Sequence, residues 1–106
     1  MACEWASDGI RVNAVAPAFV ETTLVRKLSE AGRLDLPTLR RRTATGRLIQ
    51  AEEVAAAVNF LASAAASGIK GAVLPVDGGW TAFADFGDAF RCRSSFQLFS
   101  TSLPRW

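Results

Sequence analysis

The stretch that most limits how this chain can fold is Ile10 to Thr23, IRVNAVAPAFVETT. Ile10, Val12, Ala14, Val15 and Ala16 form a short, largely apolar, partly β-branched run. Runs of this kind are buried on both faces of a parallel sheet. Pro17 closes the strand, because its ring removes the amide donor that the next ladder bond would need. Small and apolar residues follow, then Glu21, Thr22 and Thr23, which suit a helix start. Strand, abrupt stop, loop and helix start describe the carboxyl-end crevice where open α/β sheets bind ligands.

The second half of the chain supplies a helix and another strand. Gln50-Ala51-Glu52-Glu53 opens the best helical pattern, which ends near Ser63. Val54, Ala57, Val58 and Leu61 recur at i, i+3, i+4 and i+7, a stripe that must face a sheet. Packing through Val54, Val58 and Leu61 is therefore expected. Gly71 to Val76 reads as the second strand and Asp77-Gly78-Gly79 as its turn; Pro75 suits an edge strand. Strands near 10–16 and 72–76 should lie parallel and adjacent, joined by a right-handed crossover. Between the strands, Leu24, Val25 and Leu28 make one apolar stripe that Gly32 ends. Asp35 and Pro37 then open a short helix running into Arg40, Arg41 and Arg42. A solvated helix face is the plain reading of the three arginines, contact with a phosphate or a carrier-protein surface the sharper one.

Composition removes several classes of function. With 12 basic and 10 acidic residues the charges nearly cancel, which argues against a nucleic-acid binder. The nearly apolar stretches are too short to span a bilayer. No basic leader precedes an apolar core, so no signal peptide is read at the N-terminus. Cys3 and Cys92 make no disulfide framework, and a cytoplasmic protein with reduced thiols is expected. The sequence has no histidine, no tyrosine and only two lysines, Lys27 and Lys70. Ser-His triads are excluded, and two cysteines without histidine do not build a structural zinc site. Gly68, Gly71, Gly78 and Gly79 fit no phosphate-loop spacing.

The run RVNAVAPAFVET, with EWASDGI before it and LPVDGGW far downstream, resembles the C-terminal part of a short-chain dehydrogenase/reductase. The similarity is to the β-ketoacyl carrier protein reductase and sugar or polyol dehydrogenase group, and covers about Ala2 to Phe83. It implies an α/β fold: the last two strands, lid helices and last helix of a Rossmann-like, doubly wound parallel sheet. Residues 1–83 would be that portion, and 84–106, with irregular aromatics and clustered serines, a non-native tail. Met1 to Asp8 would be the last two turns of a long helix capped by Gly9. In the family, earlier turns of that helix carry the catalytic Tyr and Lys.

Pro17-Ala18-Phe19-Val20-Glu21-Thr22 resembles the family's Pro-Gly-x-Ile/Val-x-Thr. There the backbone at the Val20 position and the hydroxyl at the Thr22 position hold the nicotinamide carboxamide. A carboxamide offers one acceptor and two donors, so fixing its face takes both kinds of partner. Pro17, Ala18, Phe19, Val20 and Thr22 are thus the cofactor-binding candidates, and NAD or NADP the implied cofactor. Thr22 is equally suited to cap the next helix. Ala18 stands where the family has glycine; at a positive φ this would cost about 1 kcal/mol. Asn13, polar inside a strand, needs a partner and by resemblance bonds neighbouring backbone.

The resemblance implies a portion of an NAD(P)-dependent oxidoreductase that, complete, passes a hydride between nicotinamide and a small carbonyl or alcohol. No catalytic residue and no metal ligand is assigned in this chain, which is expected to be inactive alone. The alternative is a non-catalytic interaction module, a homo-oligomer through the Val54–Val76 region. Neither nucleic acid nor membrane is an expected partner. Two strands leave unpaired edges, so oligomers or aggregates are expected in preference to a stable monomer.

Overall fold

In the computed structural model, which describes residues 1–82, the two expected strands pair in parallel. The expectations for 84–106 lie outside the described residues. Strand β1 spans Ala14–Pro17 and β2 spans Val73–Val76, in register from Ala14 opposite Val73 to Pro17 opposite Val76. Both are shorter than the apolar runs that contain them, and Asn13 is the reason. Its Oδ1 accepts from the Ala72 N–H at 2.9 Å, and its Nδ2 donates to the Ile69 carbonyl at 2.9 Å. The side-chain amide occupies one rung, so the regular ladder begins a residue later, with Ala14 N–H to the Ala72 carbonyl at 2.8 Å.

The same ladder explains both prolines. Alternate residues of a parallel strand bond to a given neighbour. Ala14 and Ala18 donate to β2, through the Ala72 and Val76 carbonyls. Pro17 and Pro75 fall on the alternate positions, where the missing N–H would point away from the partner strand.

Helix α3, Ala51–Ala62, forms the crossover and covers one face of the pair. Its first turn is fixed by Glu53, whose carboxylate accepts from the Gln50 N–H at 2.9 Å and from the Arg47 guanidinium through both oxygens. Leu61 is buried and Val54 and Ala57 are half-buried, as the stripe requires. Val58 departs from expectation: it is 50% exposed. A two-stranded sheet is too narrow to cover the whole stripe, and Val58 overhangs a groove beside β1. On the opposite sheet face Ala14, Ala16 and Val73 are exposed, and no described element packs on them.

The far end of α3 is held by Arg11. Its Nη1 donates to the Leu61 and Ala66 carbonyls at 2.7 and 2.9 Å, and its Nη2 to the Ser63 carbonyl at 3.0 Å. A helix leaves its last carbonyls without partners, and a guanidinium fork satisfies several at once. Residues 1–8 do not continue a long helix. They form turns and a short 3-10 segment, Ala6–Asp8, ended by Gly9 at φ +74°. So short a piece cannot offset the cost of nucleating an α-helix by itself. Helices α1, Thr23–Glu30, and α2, Leu36–Arg41, lie between β1 and α3 in sequence. Among the described residues, buried side chains are few: Leu48, Ile49, Leu61, Ala66 and the polar Thr43.

Two outcomes follow for stability. Arg11→Ala should cost about 2 kcal/mol in urea unfolding, with Arg11→Lys recovering only part, because an ammonium lacks the fork. Glu53 has its carboxyl lowered from 4.5 to about 2, first by the Arg47 hydrogen bond and then by the Gln50 N–H. Its contribution should be full above pH 4.5 and fade as pH falls towards 2. The pair is well exposed, so the whole effect should stay under about 1 kcal/mol. Unfolding midpoints measured across that pH window should flatten in Glu53→Gln.

Candidate nicotinamide-end cleft

Where β1 ends, the chain is clamped before it reaches α1. Ile49 N–H donates to the Phe19 carbonyl at 3.1 Å, and Glu21 N–H donates to the Ile49 carbonyl at 2.7 Å. This isolated parallel bridge pins Val20 opposite Ile49, itself buried. Both bonds use the residues flanking Val20. Among the described residues, no backbone hydrogen bond occupies Val20's own N–H or C=O. The clamp therefore fixes the loop and leaves one donor and one acceptor to spare.

Two positions on, Thr22 is the N-cap of α1, its Oγ1 accepting from the Val25 N–H at 3.2 Å. The helix-cap expectation is met. It does not use up the side chain, since a hydroxyl that accepts one hydrogen bond still has its own proton to donate.

A cleft of about 470 Å³ opens between the carboxyl ends of the two strands. Pro17, Ala18 and Phe19 line it from β1, and Asp77, Trp80 and Thr81 from the turn after β2. Val20 and Thr22 are not among its lining residues. The structure thus brings three of the five candidates to the cleft wall and sets the other two just beyond it in the chain. Ala18 is unstrained: no residue other than glycine has positive φ among the described residues. The glycine that Ala18 replaces was not needed here for its backbone conformation.

The turn after β2 is built from within. Asp77 accepts from the N–H groups of Gly79 and Thr81 at 3.0 and 3.1 Å, and from the Thr81 hydroxyl at 2.5 Å. The Thr81 hydroxyl above all, with these N–H groups, holds the Asp77 carboxyl below its ordinary range. Gly78 and Gly79 have φ of +60° and +87°. A Cβ on Gly79 would lie 2.7 Å from the Ala44 Cβ, and one on Gly78 2.6 Å from the Thr45 hydroxyl. Thr45 N–H also bonds the Gly78 carbonyl at 3.2 Å. The glycine pair lets the segment leaving α2 press against this turn; it does not cradle a phosphate.

Sequence reasoning missed a row of side chains that closes one wall. The rings of Phe19 and Trp80 are 5.6 Å apart, and the Arg42 guanidinium lies 5.8 Å from the Trp80 ring centroid. The signal was in the chain, as an aromatic directly after Gly78-Gly79 and a cation at the end of α2, but nothing local joined them. The three-arginine run is therefore not a uniform solvated face: Arg42 packs on the cleft wall and Arg41 bonds the Thr38 hydroxyl at 3.1 Å.

Two substitutions check these packing claims in thermal unfolding. Gly79→Ala should cost about 2 kcal/mol, from a left-handed backbone and overlap with Ala44 together. Ala18→Gly should relieve nothing and cost about 0.5–1 kcal/mol through unfolded-chain entropy.

Comparison with known proteins places this arrangement. The profile of a family described as enoyl-(acyl carrier protein) reductase matches residues 1–81. The short-chain type dehydrogenase/reductase y4vI of Sinorhizobium fredii is 50% identical over 93 residues, 88% of this chain and 17% of that protein. Galactitol 2-dehydrogenase of Rhizobium johnstonii is 51% identical over 81 residues, 76% of this chain and 31% of that protein. The solved structure of ElxO with NADP bound superposes with a TM-score of 0.70 at 32% identity, covering 77% of this chain and 33% of ElxO. The chain thus spans a third or less of each of these relatives. Matched by that family profile over residues 1–81, the chain belongs to the short-chain dehydrogenase/reductase family.

Proposed function

We propose that residues 10–82 are the nicotinamide end and lid of an NAD(P)-dependent oxidoreductase. In complete form it would pass a hydride between the nicotinamide and a small carbonyl or alcohol. The observation that carries this reading is the unoccupied backbone N–H and C=O of Val20, pinned by the Ile49 clamp and followed by the Thr22 hydroxyl. One carboxamide needs such a set: an acceptor and donors held still beside an apolar wall. The residues present fit it. When bound, the cofactor would supply the hydride; this chain's part is to hold the ring's amide and shield its face with Phe19, Pro17 and Ala18.

In this reading the acid/base group comes from outside these 106 residues, which contain no tyrosine and no histidine. Asp77 does not substitute for them, because its carboxylate is already held by Thr81 and Gly79. We place the protein in the cytoplasm. Among the described residues no helix is long and apolar enough to cross a membrane.

A second reading, assembly of copies through the Val54–Val76 region, is favoured by exposed apolar side chains on it. Phe60 and Val73 are 45% and 65% exposed. Sedimentation at micromolar concentration should show oligomers that Phe60→Glu dissociates; a monomer at all concentrations would end that reading.

Two measurements test the cofactor reading. The 106-residue chain alone should bind NADH or NADPH no more tightly than about millimolar, because a few hydrogen bonds at one end do not offset immobilising a dinucleotide. In galactitol 2-dehydrogenase carrying residues 10–82 in place of its own, Thr22→Ala should weaken cofactor binding roughly 2- to 10-fold, one hydrogen bond's worth. Thr22→Ser should restore it. An unchanged affinity in Thr22→Ala would leave the residue a helix cap and nothing more.

A further inference from the structure

The cleft between the strand ends borrows a charge that its own lining does not supply. Ala16, Ala18 and Pro75 give it small apolar surface, and Phe19 and Trp80 wall it. Among the described lining residues Asp77 is the only charged one, and its carboxylate is engaged by Gly79 and Thr81. A cation reaches the wall from the end of α2. The Arg42 guanidinium lies 5.8 Å from the Trp80 ring centroid, and the rings of Trp80 and Phe19 are 5.6 Å apart. An aromatic face attracts a guanidinium and orders it, and the in-plane N–H groups keep the fork that matches a carboxylate. With five donors, an arginine can serve a ligand beside a partner it already holds.

The surrounding charge points the same way. Seven of the chain's twelve basic residues fall between 23 and 47, against two of its ten acidic ones. Arg47 is committed to Glu53, and Arg41 donates to the Thr38 hydroxyl. A chain nearly neutral overall thus carries a positive segment beside an apolar cleft, a field that draws anions to it. We propose that the substrate of this oxidoreductase carries one carboxylate, and that Arg42, held on Trp80, selects it. One guanidinium pairs with a monoanion through two parallel hydrogen bonds. A phosphate dianion asks for more donors, and the N–H groups of Gly79 and Thr81 are already given to Asp77. Asp77 also repels a second negative group in the same cleft. The ligand is a small hydroxy or keto acid whose apolar body lies on Ala16, Ala18 and Pro75. For the reaction this rests on the nicotinamide-end reading; for the anion it rests on Arg42, Trp80 and the cleft.

The test needs no cofactor. In the full 106-residue chain, Trp5→Phe and Trp106→Phe leave Trp80 as the one strong fluorophore, since the sequence has no tyrosine. Benzoate should change Trp80 emission saturably, with a Kd of about a millimolar, and benzamide, its neutral isostere, should bind about 10-fold more weakly. Arg42→Gln should remove that difference. Arg42→Lys should restore part of it, because an ammonium keeps the charge and loses the fork. Arg33→Gln, the same charge change at an exposed site, should leave benzoate binding as it was. Should Arg42→Gln not fold, salt decides: going from ~20 to ~500 mM NaCl should weaken benzoate and spare benzamide. Equal binding of benzoate and benzamide overturns the proposal, as does phenyl phosphate bound more tightly than benzoate. A loss in Arg33→Gln as large as in Arg42→Gln overturns it too, as does a Trp80 emission that no probe changes. None of these outcomes bears on Val20 or Thr22; failure of the cofactor reading would appear in the dehydrogenase chimera and leave the anion site standing.

Discussion

The arrangement depends on one side-chain amide. Two parallel strands at opposite ends of a long crossover have no hairpin to set their register. Asn13 sets it, holding the Ile69 carbonyl and the Ala72 N–H and so fixing where β2 begins. Two residues earlier, Arg11 gathers the carbonyls of Leu61, Ser63 and Ala66 and fixes where α3 ends. Both groups stand on alternate residues leading into β1. One polar pair therefore positions the two elements that must pack on it, which apolar burial with so few buried side chains would not do by itself.

What lies at the carboxyl end of the strands follows from that registration. Because Pro17 sits opposite Val76, the loop after β1 and the turn after β2 leave the sheet side by side, and the cleft is the space between them. The Phe19–Ile49 clamp and the contact of Gly78 and Gly79 with Ala44 and Thr45 tie both walls to the segment between α2 and α3. Thr43 steadies that segment: its Oγ1 lies 3.0 and 3.1 Å from the Arg40 and Arg47 carbonyls, a single proton serving either.

The unit is open on two sides, and the reason is size. Burial of apolar surface rises with the length of chain enclosed, and a two-stranded sheet with one covered face encloses little. Val58 and Val73 have no cover here, although their residue types belong to interiors. The relatives to which this unit corresponds carry it as a third or less of their length.

Much of this was legible in the chain. The apolar runs, the helix stripe, Gly9, Gly32, Asp35 and the Glu53 turn predicted elements that the structure contains, because each rests on contacts within a few residues. Thr22 as a cap was legible for the same reason. Residues 1–8 read as helix and fold as turns and a short 3-10 segment, since the pattern gave propensity without the length that a helix needs. Ala18 read as a possible source of strain, yet its backbone conformation is one any residue adopts. Sequence by itself determined where most strands and helices fall, and which short runs resemble the family's. The tertiary structure alone decided that Asn13 replaces a rung, that Arg11 caps a helix fifty residues away, that Arg42 meets Trp80 and that Val58 is left uncovered. Each of these is an encounter between residues far apart in the chain, and local pattern holds no information about which distant partner will arrive.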